Sequence, residues 1–117
     1  GDGAGEGFTV NIPFEEPGMG DGEYQHAFEQ IVMPIAEQYK PDLVLVCAGF
    51  DAAAGDSNSK AEFKVSANCF GWMARRLMTL AGGKVVLALE GGYDIGEICS
   101  GGIACLGTLQ GGEHPVE

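Results

Sequence analysis

The sequence predicts an α/β domain, a parallel sheet flanked by helices, and three observations carry that expectation. Residues 43–48 and 84–89 hold near-continuous apolar runs, Leu43-Val44-Leu45-Val46-Cys47-Ala48 and Val85-Val86-Leu87-Ala88-Leu89. Such runs lack the alternation of a half-exposed strand and read as strands covered on both faces. Segments of helical apolar spacing precede and follow each run, the order that builds a parallel sheet with crossover helices. Finally, 117 residues with 45% hydrophobic side chains and a mean hydropathy of +0.07 suffice for one packed domain and are too apolar for disorder.

Taken in order, residues 1–7 form a glycine-rich lead, and residues 8–14 carry Phe8, Val10, Ile12 and Phe14 at alternate positions, as in a strand. The lead is not a dinucleotide fingerprint. Gly3-Ala4-Gly5-Glu6-Gly7-Phe8 lacks the last glycine, and it precedes a strand where the motif must follow one. Residues 15–22 read as a loop with Asp21 as N-cap. Tyr24, Ala27, Phe28, Ile31, Val32, Ile35, Ala36 and Tyr39 then trace the stripe of an amphipathic helix, which Pro34 should kink. Lys40-Pro41-Asp42 ends that helix and leads into the first apolar run.

Residues 52–62 are small and polar and read as a surface or rim loop. A second helix is expected after Ser66, with Cys69, Trp72, Met73, Leu77 and Leu80 on one face and Gly82-Gly83 as its stop. After the second apolar run, Glu90-Gly91-Gly92-Tyr93 makes a tight turn. Asp94 then caps a third helix whose apolar face is Ile95, Ile98, Cys99, Leu106 and Leu109. Gly96, Gly101, Gly102 and Gly107 lower its intrinsic propensity, so it should depend on close packing against a neighbour.

Six Lys plus Arg against 17 Asp plus Glu give a formal charge of -11, which argues against direct nucleic-acid binding. The same charge would attract a basic partner. Cys47, Cys69, Cys99 and Cys105 are widely spaced and form neither a disulfide framework nor a metal knuckle; buried thiols are expected. No run of about 18 apolar residues suggests a membrane span, and no sorting signal is visible.

In an open α/β sheet, ligand groups gather at the carboxyl ends of the strands. The two apolar runs end in Ala48-Gly49-Phe50-Asp51 and Glu90-Gly91-Gly92-Tyr93, turns that would aim Asp51 and Tyr93 at a shared cleft. A carboxylate can hold a metal and a phenol can donate to a developing oxyanion. The same residues can also be a turn cap and a half-buried aromatic.

Val46-Cys47-Ala48-Gly49-Phe50-Asp51-Ala52, Leu77-Met78-Thr79-Leu80-Ala81-Gly82-Gly83 and Leu87-Ala88-Leu89-Glu90-Gly91-Gly92-Tyr93-Asp94 resemble the C-terminal third of the class II zinc-dependent histone deacetylases. The likeness extends to Gly5-Glu6-Gly7-Phe8-Thr9-Val10-Asn11-Ile12 and Met19-Gly20-Asp21-Gly22-Glu23-Tyr24. It is therefore spread over nearly the whole chain. Met19 to Tyr24, Ile31-Val32-Met33-Pro34-Ile35 and Met78 to Gly83 look most like class IIa.

The resemblance implies the arginase/deacetylase fold, with residues 1–117 as an incomplete C-terminal portion of the catalytic domain. It implies that Asp51 is one of two aspartates that hold a catalytic zinc ion together with a histidine. Tyr93 would hydrogen-bond the acetyl carbonyl, and Gly91 and Gly92 would shape the wall beside the acetyl group. Vertebrate class IIa enzymes carry His at the position of Tyr93, a change associated with feeble activity on acetyl-lysine. Tyr93 thus implies a competent site.

The implied activity is hydrolysis of acetyl-lysine on histones or other proteins by the larger domain. Transcriptional repression, corepressor partners and a nuclear and cytoplasmic location go with it. The remaining metal ligands and the acid and base histidines lie upstream in the family, and neither His26 nor His114 substitutes for them. The chain alone is therefore expected to be inactive. Two alternatives stay open: a non-catalytic interaction module, and another hydrolase of the same fold, such as a polyamine deacetylase. The rim loop Gly55-Asp56-Ser57-Asn58-Ser59-Lys60 is more polar than the family's usual segment, with Lys60 read as pointing to solvent.

Overall fold

A computed structural model describes residues 1–56 and 62–112. The expectations for Lys60 and His114 fall outside the described residues. Helix α1 (Asp21–Ala27) runs through a π-helical turn (Phe28–Val32) into α2 (Met33–Tyr39). Strand β1 (Val44–Ala48), α3 (Ala67–Leu77), β2 (Val85–Leu89) and α4 (Ile95–Leu109) follow. β1 and β2 pair in parallel, Val44 with Val85 through Ala48 with Leu89. The expected layer of parallel strands and crossover helix is present.

Residues 8–14 do not form the expected strand, and the sheet of the described residues has two strands. A period-two pattern becomes a strand only when a neighbour supplies the ladder. Phe8 has none and is 82% exposed.

Gly20, not Asp21, is the N-cap of α1; its N–H donates to Glu23 Oε2 at 2.8 Å. Asp21 instead reaches across 45 residues to the start of α3. There its carboxylate accepts the Ser66 N–H at 2.7 Å and the Ser66 hydroxyl at 2.6 Å. Ser66 caps α3 as expected by accepting the Cys69 N–H at 3.1 Å.

Pro34 is absorbed by the turn ahead of it. It sits at the start of α2 without an N–H to give, and the Met33 N–H bonds back to the Phe28 carbonyl in the wider π geometry. Widening that turn relieves the clash that a proline ring makes with the preceding turn of an α-helix.

The core is Phe50, Ala53, Val65, Cys69, Phe70, Ala74 and Cys105, between the sheet and the α3/α4 pair. Helix α3 ends at Leu77, before the Gly82-Gly83 stop, and those glycines make a left-handed turn at φ 63° and 82°. In α4 the large apolar residues are not the buried stripe. Gly101, Ala104, Cys105 and Thr108 are buried, while Ile95 and Leu106 are exposed.

Small residues face the neighbours because the Phe50 ring and the α3 backbone come close. A Cβ on Gly101 would lie 2.5 Å from the Phe50 ring, and one on Gly71 would lie 3.2 Å from the Ala104 carbonyl oxygen. The Thr108 hydroxyl donates to the Gly71 carbonyl at 3.2 Å. The expectation that α4 depends on close packing therefore holds, with a different face doing the packing.

Neither strand is covered on both faces by the described residues. Leu45 is 70% and Val86 52% exposed, and Cys47 lies on the same open face. All four cysteines are free thiols, but Cys47 and Cys99 are exposed, against the expectation of burial.

Candidate active site

Both strands release the chain at the same edge of the sheet, so their C-terminal turns meet. The Glu90 N–H donates to the Ala48 carbonyl at 3.0 Å, extending the ladder one residue past β2. The Phe50 N–H then donates to the Gly91 carbonyl at 3.0 Å and ties the two turns together. Parallel strands in register bring residues about forty positions apart into contact without any further device.

Asp51 lies against Gly91. A Cβ on Gly91 would sit 3.1 Å from Asp51 Oδ2, and one on Gly49 would sit 3.0 Å from Asp51 Oδ1. The two glycines therefore make the floor on which this carboxylate rests. Asp51 is exposed, and no hydrogen bond or ion pair reaches its carboxylate from the described residues.

Gly92 is the position where glycine is required. Its φ is +115°, and a Cβ there would lie 2.9 Å from Ile98 and 3.2 Å from the Cβ of Phe50. The next residue, Tyr93, is 67% exposed, and its N–H donates to Asp56 Oδ2 at 2.7 Å. Asp94 caps α4 by accepting the Glu97 N–H at 3.0 Å. The four residues singled out from the sequence, Asp51, Gly91, Gly92 and Tyr93, thus lie in two adjoining turns at one edge.

Two residues that the sequence reading did not place belong to the same surroundings. Asp56 was part of a loop expected at the surface, yet it is 6% exposed. Its signal in the sequence is weak, a lone acid after glycine in a polar stretch. In the sequence Tyr24 is one member of a helical stripe. It packs beside the first turn, and burial first, then the charge of Asp51 and Cys69, pushes its phenol above the ordinary value. Tyr24 therefore stays a hydrogen-bond donor across the neutral range.

A cavity of about 380 Å³ opens at the first turn, lined by Gly49, Asp51, Tyr24, Phe28 and Met73 among others. Its walls are mostly apolar and Tyr93 is not one of them, so it reaches from Asp51 into the gap between the layers without joining the second turn. His26 is exposed on α1. Among the described residues, no three or more His, Cys, Asp or Glu side chains come together as a metal-binding group, and no helix is long and apolar enough to cross a membrane.

The family profile of the histone deacetylase domain matches residues 1–109. Human histone deacetylase 7 is 54% identical over 114 residues, which is 95% of this chain and 12% of that protein. Human histone deacetylase 9 is 50% identical over 116 residues, 97% of this chain and 12% of that protein. The solved structure of the histone deacetylase Clr3 superposes with a TM-score of 0.93 at 45% identity, covering 99% of this chain and 19% of that one. The chain spans about an eighth of the length of the curated relatives it matches. With that extent of agreement in sequence and backbone, the chain belongs to the histone deacetylase family, on its class IIa-like side.

Proposed function

We propose that this chain is the C-terminal portion of a deacetylase catalytic domain, and that the larger protein hydrolyses acetyl-lysine amides on histones or other proteins. The observation that carries the reading is the junction of Asp51 with Gly91 and Tyr93 at the carboxyl edge of adjacent parallel strands. Family membership and the relatives' name support the reaction and the class of substrate.

Asp51 fits a metal ligand. It is an exposed carboxylate with no competing cation or donor among the described residues, held on two glycines that leave its oxygens room. A zinc ion bound with further ligands from the rest of the domain would supply Lewis-acid polarisation of the amide carbonyl and activation of water.

The residues of this chain have separate duties in that reaction. Asp51 offers its carboxylate from a fixed floor. Gly91 and Gly92 keep the wall beside the acetyl group free of side chains. Tyr93 donates its phenolic O–H to the carbonyl oxygen as negative charge develops there, which favours the transition state over the ground state. The same reading gives the larger protein a role in transcriptional repression, with corepressor partners and a nuclear and cytoplasmic location.

A chain of this length acting instead as an interaction module would need a partner over the open sheet face around Leu45 and Val86. Further strands and helices of one domain cover such a face equally well, so the open face does not favour the module. The deciding experiment is Tyr93→Phe in the complete deacetylase domain. Turnover on an acetyl-lysine peptide should fall on the order of 10²–10³-fold. Zinc content should be unchanged, and unaltered turnover would remove Tyr93 from the reaction.

A further inference from the structure

We infer that Asp56 is a positioning residue for Tyr93, fixing the backbone from which its phenol works; this rests on the role proposed for Tyr93. The turn after β1 folds back on itself through two short bonds, Ala53 N–H to the Phe50 carbonyl at 3.0 Å and Asp56 N–H to the Ala53 carbonyl at 3.1 Å. That compact path carries Asp51 and Asp56 on one small unit. The unit grips the turn after β2 at two points. The Phe50 N–H holds the Gly91 carbonyl at 3.0 Å, and Asp56 Oδ2 holds the Tyr93 N–H at 2.7 Å.

Between the two grips lies Gly92, at φ +115°. A glycine has access to far more backbone conformations than any other residue, so an unheld Gly92 would let Tyr93 swing. The preceding grip at Gly91 does not prevent this, because it lies on the other side of the pivot. The bond from Asp56 removes the freedom.

Asp56 is 6% exposed, and the Tyr93 N–H is one of the groups its carboxylate holds. At 2.7 Å the bond is at the short end for a backbone N–H, which suits a grip that must hold a side chain in place. Gly55, next to it, is also constrained, since a Cβ there would strike the carboxylate of Glu97 in α4. The turn is therefore seated against the first turn of the helix that Tyr93 precedes.

The test is a double-variant cycle in the complete, zinc-loaded domain, with kcat, KM and zinc content measured for each protein. Asp56→Ala should lower kcat on the order of 10- to 100-fold, the scale of a displacement of about 1 Å at a reacting group. KM and zinc content should be unchanged. In the Tyr93→Phe background the same substitution should cost less than about threefold, because a phenylalanine has no hydroxyl to misplace. An equal loss in both backgrounds would overturn the positioning role and leave Asp56 merely structural.

Should Asp56→Ala fail to fold, Asp56→Asn keeps the shape and weakens the acceptor. A few-fold loss of kcat that vanishes beside Tyr93→Phe supports the inference, whereas full turnover or an equal loss in both backgrounds overturns it. Unchanged turnover in Tyr93→Phe alone would instead overturn the role of Tyr93, and with it this inference. The two failures are thus separable.

Discussion

The two faces of the small sheet have opposite characters. On one, α3 and α4 bring Phe50, Phe70, Ala74 and Cys105 into a buried cluster, with Phe50 and Phe70 edge to face at 5.0 Å between ring centres. On the other, Leu45, Cys47 and Val86 stand in the open. Yet the strands are apolar on both faces, which is the signature of a strand meant to be covered twice. The difference teaches that the described residues build a packing layer on one face and leave the other open.

The largest contrast is chemical. Burial pushes the Cys69 thiol up to about 12, with the charge of Asp21 and its hydrogen bond adding to the effect. Burial alone takes Cys105 up to about 11. At pH 8 Cys69 should therefore react with a thiol reagent about thirtyfold more slowly than an ordinary thiol of pKa 9.0, its scarcer thiolate only partly offset by greater nucleophilicity, while exposed Cys47 and Cys99 react first. Mass spectrometry of the labelled peptides reads this directly. The sign for stability follows: both folded values lie above 9.0, so the contribution is whole below pH 9 and is lost as pH rises through about 11 and 12.

Next in size is Phe50→Ala, which should cost about 3–5 kcal/mol in denaturant unfolding because the ring fills the centre of the packed face. Rapid labelling of Cys69, or a loss below about 1 kcal/mol for Phe50→Ala, would break the contrast between the faces. The smallest effect sharpens it. Leu45→Ala should shift the stability of the 117-residue chain by no more than about 0.5 kcal/mol, but cost about 2–5 kcal/mol in the complete domain, where a second layer would bury it.

The sequence was legible where local chemistry decides and silent where distance does. Both strands are continuous apolar runs, and the caps Ser66 and Asp94 sit where short polar side chains precede helical spacing. The turns bearing Asp51 and Tyr93 were visible because glycines punctuate strand ends. Residues 8–14 misled because alternation says nothing about whether a partner strand is at hand. The face of α4 misled because large apolar side chains do not mark it: Ala104 packs on Gly71 of α3 and Gly101 on the Phe50 ring. Asp21 and Asp56 were unreadable in kind, since each spends its carboxylate on a backbone amide tens of residues away.

The π-helical turn before Pro34 has a consequence for insertions and deletions. A π turn holds one residue more than an α turn, and each residue advances a helix by about 100°. Everything from Met33 onward is thereby rotated in phase relative to α1: Phe28 meets Trp72 edge to face, and Met33 turns inward to 2% exposure. Residues 28–32 form a vernier between two helical frames. Deleting one of them while replacing Pro34 with alanine would give an unbroken α-helix whose two halves keep their faces, whereas either change alone would leave a proline without room or a surplus residue without a cause.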